Sequence, residues 1–149
     1  MIEGNKVKLT PIKREYIETF LKWFNDPEIT QYLIVYRPLT QVEEEEWFEN
    51  KVKNQNSIIF SILYKKEDGS ELLIGNCGLE IDWKNRLGQF GIVIGESKFH
   101  SRGFGTEASK LLVDYGFNTL NLHRIELDVF EFNKRAIKAY KKVGFIEEG

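Results

Sequence analysis

The sequence predicts an α/β domain of the α+β kind, in which helices flank a mixed, mostly antiparallel and twisted sheet. Three observations carry this. From Ser57 to Ile94, three strand-like segments follow one another with only tight turns between them, a pattern that builds an antiparallel meander. A glycine loop at His100 to Gly105 then leads into a helix and another strand, and such a crossover makes a parallel pair inside the sheet. Two helical segments precede the meander. With 149 residues, 42% apolar and 13% aromatic, the chain suffices for one core, and no linker or repeat divides residues 1–149.

Charge and cysteine content narrow the class. The 21 basic and 23 acidic residues leave a net charge of −2, which does not suit a nucleic-acid surface. Cys77 is the one cysteine, so no internal disulfide framework forms and a reducing cytoplasm is expected. The start, Met1-Ile2-Glu3-Gly4-Asn5-Lys6, lacks an apolar run behind basic residues. We expect no signal peptide, membrane span or membrane partner.

Val7-Lys8-Leu9 alternates like a short strand, stopped by Pro11. A helical pattern opens near Lys13 or Arg14, with Tyr16, Ile17, Phe20, Leu21 and Phe24 on one face. It ends at Asn25-Asp26-Pro27, because the residue before a proline is pushed out of the α region. An aromatic-rich segment, Ile29 to Pro38, follows. Thr40 and Glu43 have capping-box spacing, and the next helix should run to about Asn54 with Glu43 to Glu46 in its first turns.

Ile58 to Tyr64, a turn at Glu67-Asp68-Gly69-Ser70, and Leu72 to about Ile81 make a hairpin. Gly75 and Gly78 suggest a bulge or a close backbone approach in its second strand. Asp82 to Arg86 turns into the strand Gln89 to Ile94. After the glycine loop comes a helix with Ala108, Leu111, Leu112 and Tyr115 inward, ending near Leu120. Arg124 to Val129 reads as a strand, with Ile125, Leu127 and Val129 on one side. Asn133 looks like the N-cap of a last helix with an apolar face of Ala136, Ile137, Tyr140 and Val143, closed by Gly144.

The loop His100-Ser101-Arg102-Gly103-Phe104-Gly105 is where chemistry is expected. Two glycines one residue apart permit positive φ and close ligand approach. The helix that follows aims its first free N–H groups and its positive dipole end at the same point, so a pyrophosphate is the natural occupant. Gly103-x-Gly105-x-x-Ala108 with Asp128 downstream also matches a loose dinucleotide fingerprint. That fingerprint belongs to a first β-α-β unit, whereas here a meander precedes it. A plain strand-to-helix turn is the third reading.

The order of elements resembles the GNAT superfamily of acyl-CoA-dependent N-acetyltransferases over nearly the whole chain. That family's pyrophosphate loop is Gln or Arg, two residues, Gly, one residue, then Gly or Ala; His100 to Gly105 fits except at His100 itself. Asn133-x-x-Ala136-x-x-x-Tyr140-x-x-x-Gly144-Phe145 fits the family's last-helix pattern. Trp23-Phe24-Asn25-Asp26-Pro27 and Gly105-Thr106-Glu107-Ala108 look like the branch of ribosomal-protein N-terminal acetyltransferases. The run from Asp114 to His123 resembles the spermidine acetyltransferases of that branch equally well.

The resemblance implies acetyl-CoA as cosubstrate, no metal, and direct transfer to a primary amine: a protein N-terminus, a polyamine or another small amine. It places the pantetheine arm between the strand at Val93-Ile94 and the strand at Arg124 to Val129, with a backbone N–H near Val93 or Ile94 polarising the thioester oxygen. His100, Ser101, Arg102, Gly103, Phe104, Gly105 and Thr106 would hold the pyrophosphate, with His100 donating a hydrogen bond. Tyr140 would be the hydrogen-bond donor to the departing sulfur. Asn133 is either an N-cap alone or also a cofactor contact.

The family's frequent strand-start glutamate is Gln89 here, which leaves Glu80, Glu126 and Asp128 as candidate bases or as solvated strand-face charges. The run Glu43 to Glu46 either attracts a cationic acceptor or is a solvated helix start. His123 reads as structural or surface. Related enzymes continue past the position of Gly149 into a strand beside the one at Arg124, so that edge is expected to lack a partner here: either a tail is missing from the chain, the reading we favour and one that would leave the acceptor pocket incomplete, or a neighbouring copy, as in a homodimer, covers the edge. A domain that binds acyl-CoA without turning it over is the other functional reading.

Overall fold

The computed structural model describes residues 1–31 and 39–149. Residues 32–38, most of the aromatic-rich segment, lie outside it. Six strands form one sheet in sequence order: β1 (Ile2–Glu3), β2 (Val7–Pro11), β3 (Ser57–Lys65), β4 (Glu71–Asp82), β5 (Leu87–Ile94) and β6 (Arg124–Glu126). Every neighbouring pair is antiparallel except β5 and β6, which are parallel. The expected crossover runs through α4 (Phe104–Asn118). The expected bulge falls in β4, where the register passes from Ile62 opposite Gly75 to Leu63 opposite Leu73 and leaves Ile74 unopposed.

Three of the described helices start at a side-chain cap, while α1 does not. In α1 (Ile17–Phe24), entered through a 3-10 turn at Arg14–Tyr16, the buried residues are Ile17, Phe20 and Trp23. Leu21 and Phe24, expected on the buried face, are only partly covered. The reason is Gly95, just past β5: a methyl group built there would collide with the Trp23 indole, so the ring lies directly on that backbone. Asp26 caps the short α2 (Pro27–Thr30), accepting from the Glu28 N–H with Pro27 in the first helical position. Thr40 and Glu43 form the full capping box of α3 (Gln41–Lys53).

The core lies between α4 and the sheet, with Val7, Leu9, Ile62, Ile74, Leu79 and Leu112 fully or almost fully buried. Glu107 ties the start of α4 to β2, its carboxylate accepting from the Lys6 and Val7 N–H groups at 2.8 and 2.7 Å. The last helix, α5 (Lys134–Val143), is closed by Gly144 in the left-handed region at φ 116°.

One strand is shorter than its pattern. Alternation through Leu127 and Val129 predicts six residues, but β6 ends at Glu126 and Val129 is exposed. Ladder length is set by the partner, and β5 and β6 stay in register only from Leu87–Arg124 to Gln89–Glu126 before they part. Among the described residues no strand follows α5. Glu148 instead reaches back to the guanidinium of Arg124.

Candidate active site

The parting of β5 and β6 opens the site. From Phe90 to Ile94, β5 remains paired to β4 but has lost β6. Alternate backbone N–H and C=O groups on that side therefore face a gap instead of a ladder. The gap is part of a cleft of about 430 Å³, walled by β5, the start of α4, α5 and the loop before α5. Of the sequence candidates, Val93, Ile94, His100, Gly105, Asn133 and Tyr140 line it.

The glycine loop leads into α4 with unpartnered amides at the helix start. Gly103 takes φ 85° and caps α4 without a side chain, a conformation that disfavours any residue with a Cβ. The first helical bond runs from the Glu107 N–H to the Gly103 carbonyl at 3.0 Å, so the N–H groups of Phe104, Gly105 and Thr106 have no partner within the helix. Gly105 has room to spare: an added methyl would meet only Ile94, at an ordinary 3.6 Å. The protein's own packing therefore does not require the absence of a side chain there.

The remaining loop residues contribute backbone more than side chain. Phe104 is buried, its ring 4.7 Å from that of Tyr64 and 6.0 Å from that of Phe99. Arg102 is exposed and rests its guanidinium 5.0 Å over Phe104. Ser101 holds a positive φ of 59°. None of these, nor Thr106, lines the cleft.

His100 has a partner inside the protein. Its Nε2 lies 3.0 Å from the Ile94 carbonyl, and because a carbonyl only accepts, Nε2 must carry a proton. Burial holds the ring's pKa below the ordinary histidine value, and Arg135 pushes the same way against Glu28. A neutral His100 bonded in this way keeps only an acceptor, Nδ1, for anything else. The hydrogen bond expected from it to a pyrophosphate is therefore not available in this state.

Tyr140 packs its ring edge-on to Phe90 at 6.0 Å and to Phe145 at 5.9 Å. Burial raises the phenol's pKa above its usual value, so the hydroxyl at the cleft wall stays protonated, and among the described residues nothing hydrogen-bonds to it. Asn133 is a true N-cap: its side-chain oxygen accepts from the Ala136 N–H at 3.3 Å. It also lines the cleft, so the capping role and the cleft position coexist.

The candidate bases separate. Glu80 pairs with Lys51 and accepts from the Ser57 hydroxyl at 2.9 Å, and both Glu80 and Gln89 line a different, smaller pocket at the other end of β5. Glu126 pairs with Arg124 at 3.1 Å. Asp128 alone of the three lines the cleft. His123 is exposed.

In the acidic run, Glu43 serves the capping box and Glu45 accepts from Gln41. Glu44 departs from both sequence readings, being 3% exposed with its Oε1 unpartnered among the described residues. Burial pushes its carboxyl up to about 7. Sequence reasoning also missed Ser109 and Arg135 in the cleft wall. Ser109 had a signal: a polar residue four positions after Gly105, on the inward face of α4.

Among the described residues no cluster of His, Cys, Asp and Glu is arranged to hold a metal ion, and no helix is long and apolar enough to cross a membrane. The acetyltransferase (GNAT) domain family matches residues 6–146. An uncharacterized N-acetyltransferase p20 of Bacillus licheniformis is 31% identical, covering 97% of this chain and 81% of the relative. The spermidine N(1)-acetyltransferase of Escherichia coli K12 is 29% identical over 100% of this chain and 77% of its own length. The crystal structure of spermidine N-acetyltransferase from Vibrio cholerae in complex with CoA and spermine superposes with a TM-score of 0.87 at 26% identity, over 98% of this chain and 84% of that one. The same enzyme is also known as a dodecamer.

Proposed function

The chain belongs to the GNAT acetyltransferases, and on that premise we propose that it acetylates a primary amino group of an aliphatic polyamine by direct transfer from acetyl-CoA. The observation that carries the transfer chemistry is the open edge of β5 facing the Tyr140 hydroxyl across one cleft. The spermidine acetyltransferases among the relatives support the choice of acceptor.

The residues present fit the donor. Bare backbone at Gly105, free amides at the start of α4 and an unpaired strand edge suit a diphosphate followed by an amide-bearing arm. Acetyl-CoA supplies, when bound, an acyl group activated as a thioester. Against it, an N–H of the Val93–Ile94 edge donates to the acyl oxygen, where negative charge grows as the amine attacks. Tyr140, protonated, donates its O–H to the sulfur as the C–S bond breaks. A phenol of pKa about 10 giving its proton fully to a thiolate of pKa about 8.5 goes uphill by roughly 2 kcal/mol. Tyr140 therefore steadies the developing thiolate by hydrogen bonding.

An aliphatic ammonium of pKa about 10.4 costs roughly 4 to 5 kcal/mol to deprotonate at pH 7. Asp128, the candidate carboxylate in the cleft, is our choice to hold the acceptor's ammonium, and the ammonium's proton leaves to solvent. Two further parts of the reading are a homo-oligomer, in line with the Vibrio cholerae enzyme, and a cytoplasmic setting, in line with the buried free thiol of Cys77.

The test is thiol release from acetyl-CoA with spermidine, spermine, lysine and a set of N-terminal peptides. We expect kcat/KM for a polyamine to exceed that for every other acceptor by at least about tenfold, which is about 1.4 kcal/mol of transition-state discrimination. Preference for a peptide overturns the acceptor, and CoA binding without thiol release from any amine overturns catalysis.

A further inference from the structure

His100 stands where the loop pattern of the resembled family has Gln or Arg, and neither of those gains or loses a proton near neutrality. Resting on the acyl-CoA reading of the cleft, we propose that His100 is a positioning residue that takes up a proton from solvent on Nδ1 as the diphosphate of the donor enters the loop, while Nε2 stays on the Ile94 carbonyl. Donor binding is then coupled to proton uptake, and the free face of the His100 ring changes from acceptor to donor as the loop fills.

Geometry requires the coupling. The Nε2 proton is already given to Ile94 at 3.0 Å, so a neutral ring meets an incoming phosphate only with a lone pair, which repels it. Rotating the ring would free the proton but break the contact that fixes the imidazole against the Ile94 carbonyl at the cleft edge. Adding a proton to Nδ1 keeps the β5 contact and turns the repulsive face into a charged donor.

The surroundings of the ring set the resting state. Burial, the largest influence, opposes protonation, the hydrogen bond to the Ile94 carbonyl favours it, Arg135 from α5 opposes it and Glu28 from α2 favours it. Glu28 is itself held by the Ser97 hydroxyl. The start of α4 adds a further positive field. An arriving diphosphate offsets those opposing charges and raises the imidazole's pKa, so affinity grows as pH falls through the value in the complex.

Calorimetric titration of the intact chain with CoA at pH 6.5, in buffers of different ionisation enthalpy, counts the protons. The wild type should take up roughly half a proton more than His100→Gln, since Gln keeps a donor for Ile94 but cannot titrate. Ionisation of the ligand's own phosphates is common to both proteins and cancels. The chain has two histidines, so NMR titration of wild type and His123→Gln isolates the His100 ring and needs no His100 variant to fold. Its pKa should rise by about one unit on adding CoA, equivalent to a tenfold gain in affinity across the titration. CoA binding with equal proton counts and an unmoved ring pKa overturns the role of His100. A wild type that does not bind CoA overturns the acyl-CoA reading on which that role rests.

Discussion

The two halves of β5 share one strand and have opposite tasks. From Leu87 to Gln89 it is bonded on both sides, to β4 and to β6. From Phe90 to Ile94 it is bonded on one side and faces the cleft on the other. The first half has every backbone group satisfied within the sheet and is a plain core element. The second has lost its ladder on the cleft side, where the Ile94 carbonyl accepts from His100 and the other backbone groups are left to a ligand or water. A site arises here from the withdrawal of a neighbouring strand, with no change of backbone type in β5 itself. What keeps the open half straight is support from behind: β4 along its length, and the Trp23 indole beneath Gly95 at its end.

The largest expected effect tests that support. Gly95→Ala puts a methyl group into the Trp23 ring, and overpacking a closed site should cost about 3 kcal/mol in a denaturant melt. If the open half is held from behind, affinity for CoA falls with stability. If stability falls and CoA affinity does not, the support belongs to the core alone and the comparison breaks.

Next comes the chemistry on the open side. Tyr140→Phe removes one oxygen and leaves the packing on Phe90 and Phe145 in place. It should lower kcat about 100-fold, roughly 2.7 kcal/mol, with CoA affinity within twofold of wild type. Unchanged turnover would remove Tyr140 from the site's chemistry.

Legibility from the sequence follows the range of the interactions. The meander, the bulge region in β4, the capping box at Thr40 and Glu43, and the left-handed Gly144 were all readable because each is set by neighbours a few residues apart. The six-residue strand at Arg124 to Val129 was not, since alternation gives the face but only a partner strand gives the length. Leu21 and Phe24 lost their place to Trp23 through contact with Gly95, far along the chain. Glu44 looked like its solvated neighbours, and its burial depends on how α3 packs. In the loop, the positive φ of Gly103 was legible, whereas Gly105 sits in the first turn of α4 with no positive φ. The bond from His100 to Ile94 was not legible, because nothing local says where an imidazole turns.

Gly105→Ala separates ligand from packing on the same wall. The methyl meets Ile94 at a normal distance, and alanine is the better helix former by up to about 1 kcal/mol. Stability should stay level or rise slightly while the CoA Kd rises about tenfold, near 1.4 kcal/mol. Equal Kd values would mean that no ligand approaches that backbone, and the open half would lose its cradle.

The smallest effect divides the two roles of Asn133. As an N-cap it satisfies the Ala136 N–H, and Asn133→Ala should cost about 1 kcal/mol in thermal or chemical unfolding. Asn133→Asp keeps a capping oxygen and adds a negative charge that the helix dipole favours, so stability should match or exceed wild type. That same charge lines the cleft that the donor's diphosphate enters, so CoA binding to the aspartate variant should weaken several-fold, and less so at high salt. Wild-type CoA affinity in Asn133→Asp would confine the residue to capping. Weakened binding in a fully stable variant would place it on the wall of the open half, opposite Val93 and Ile94.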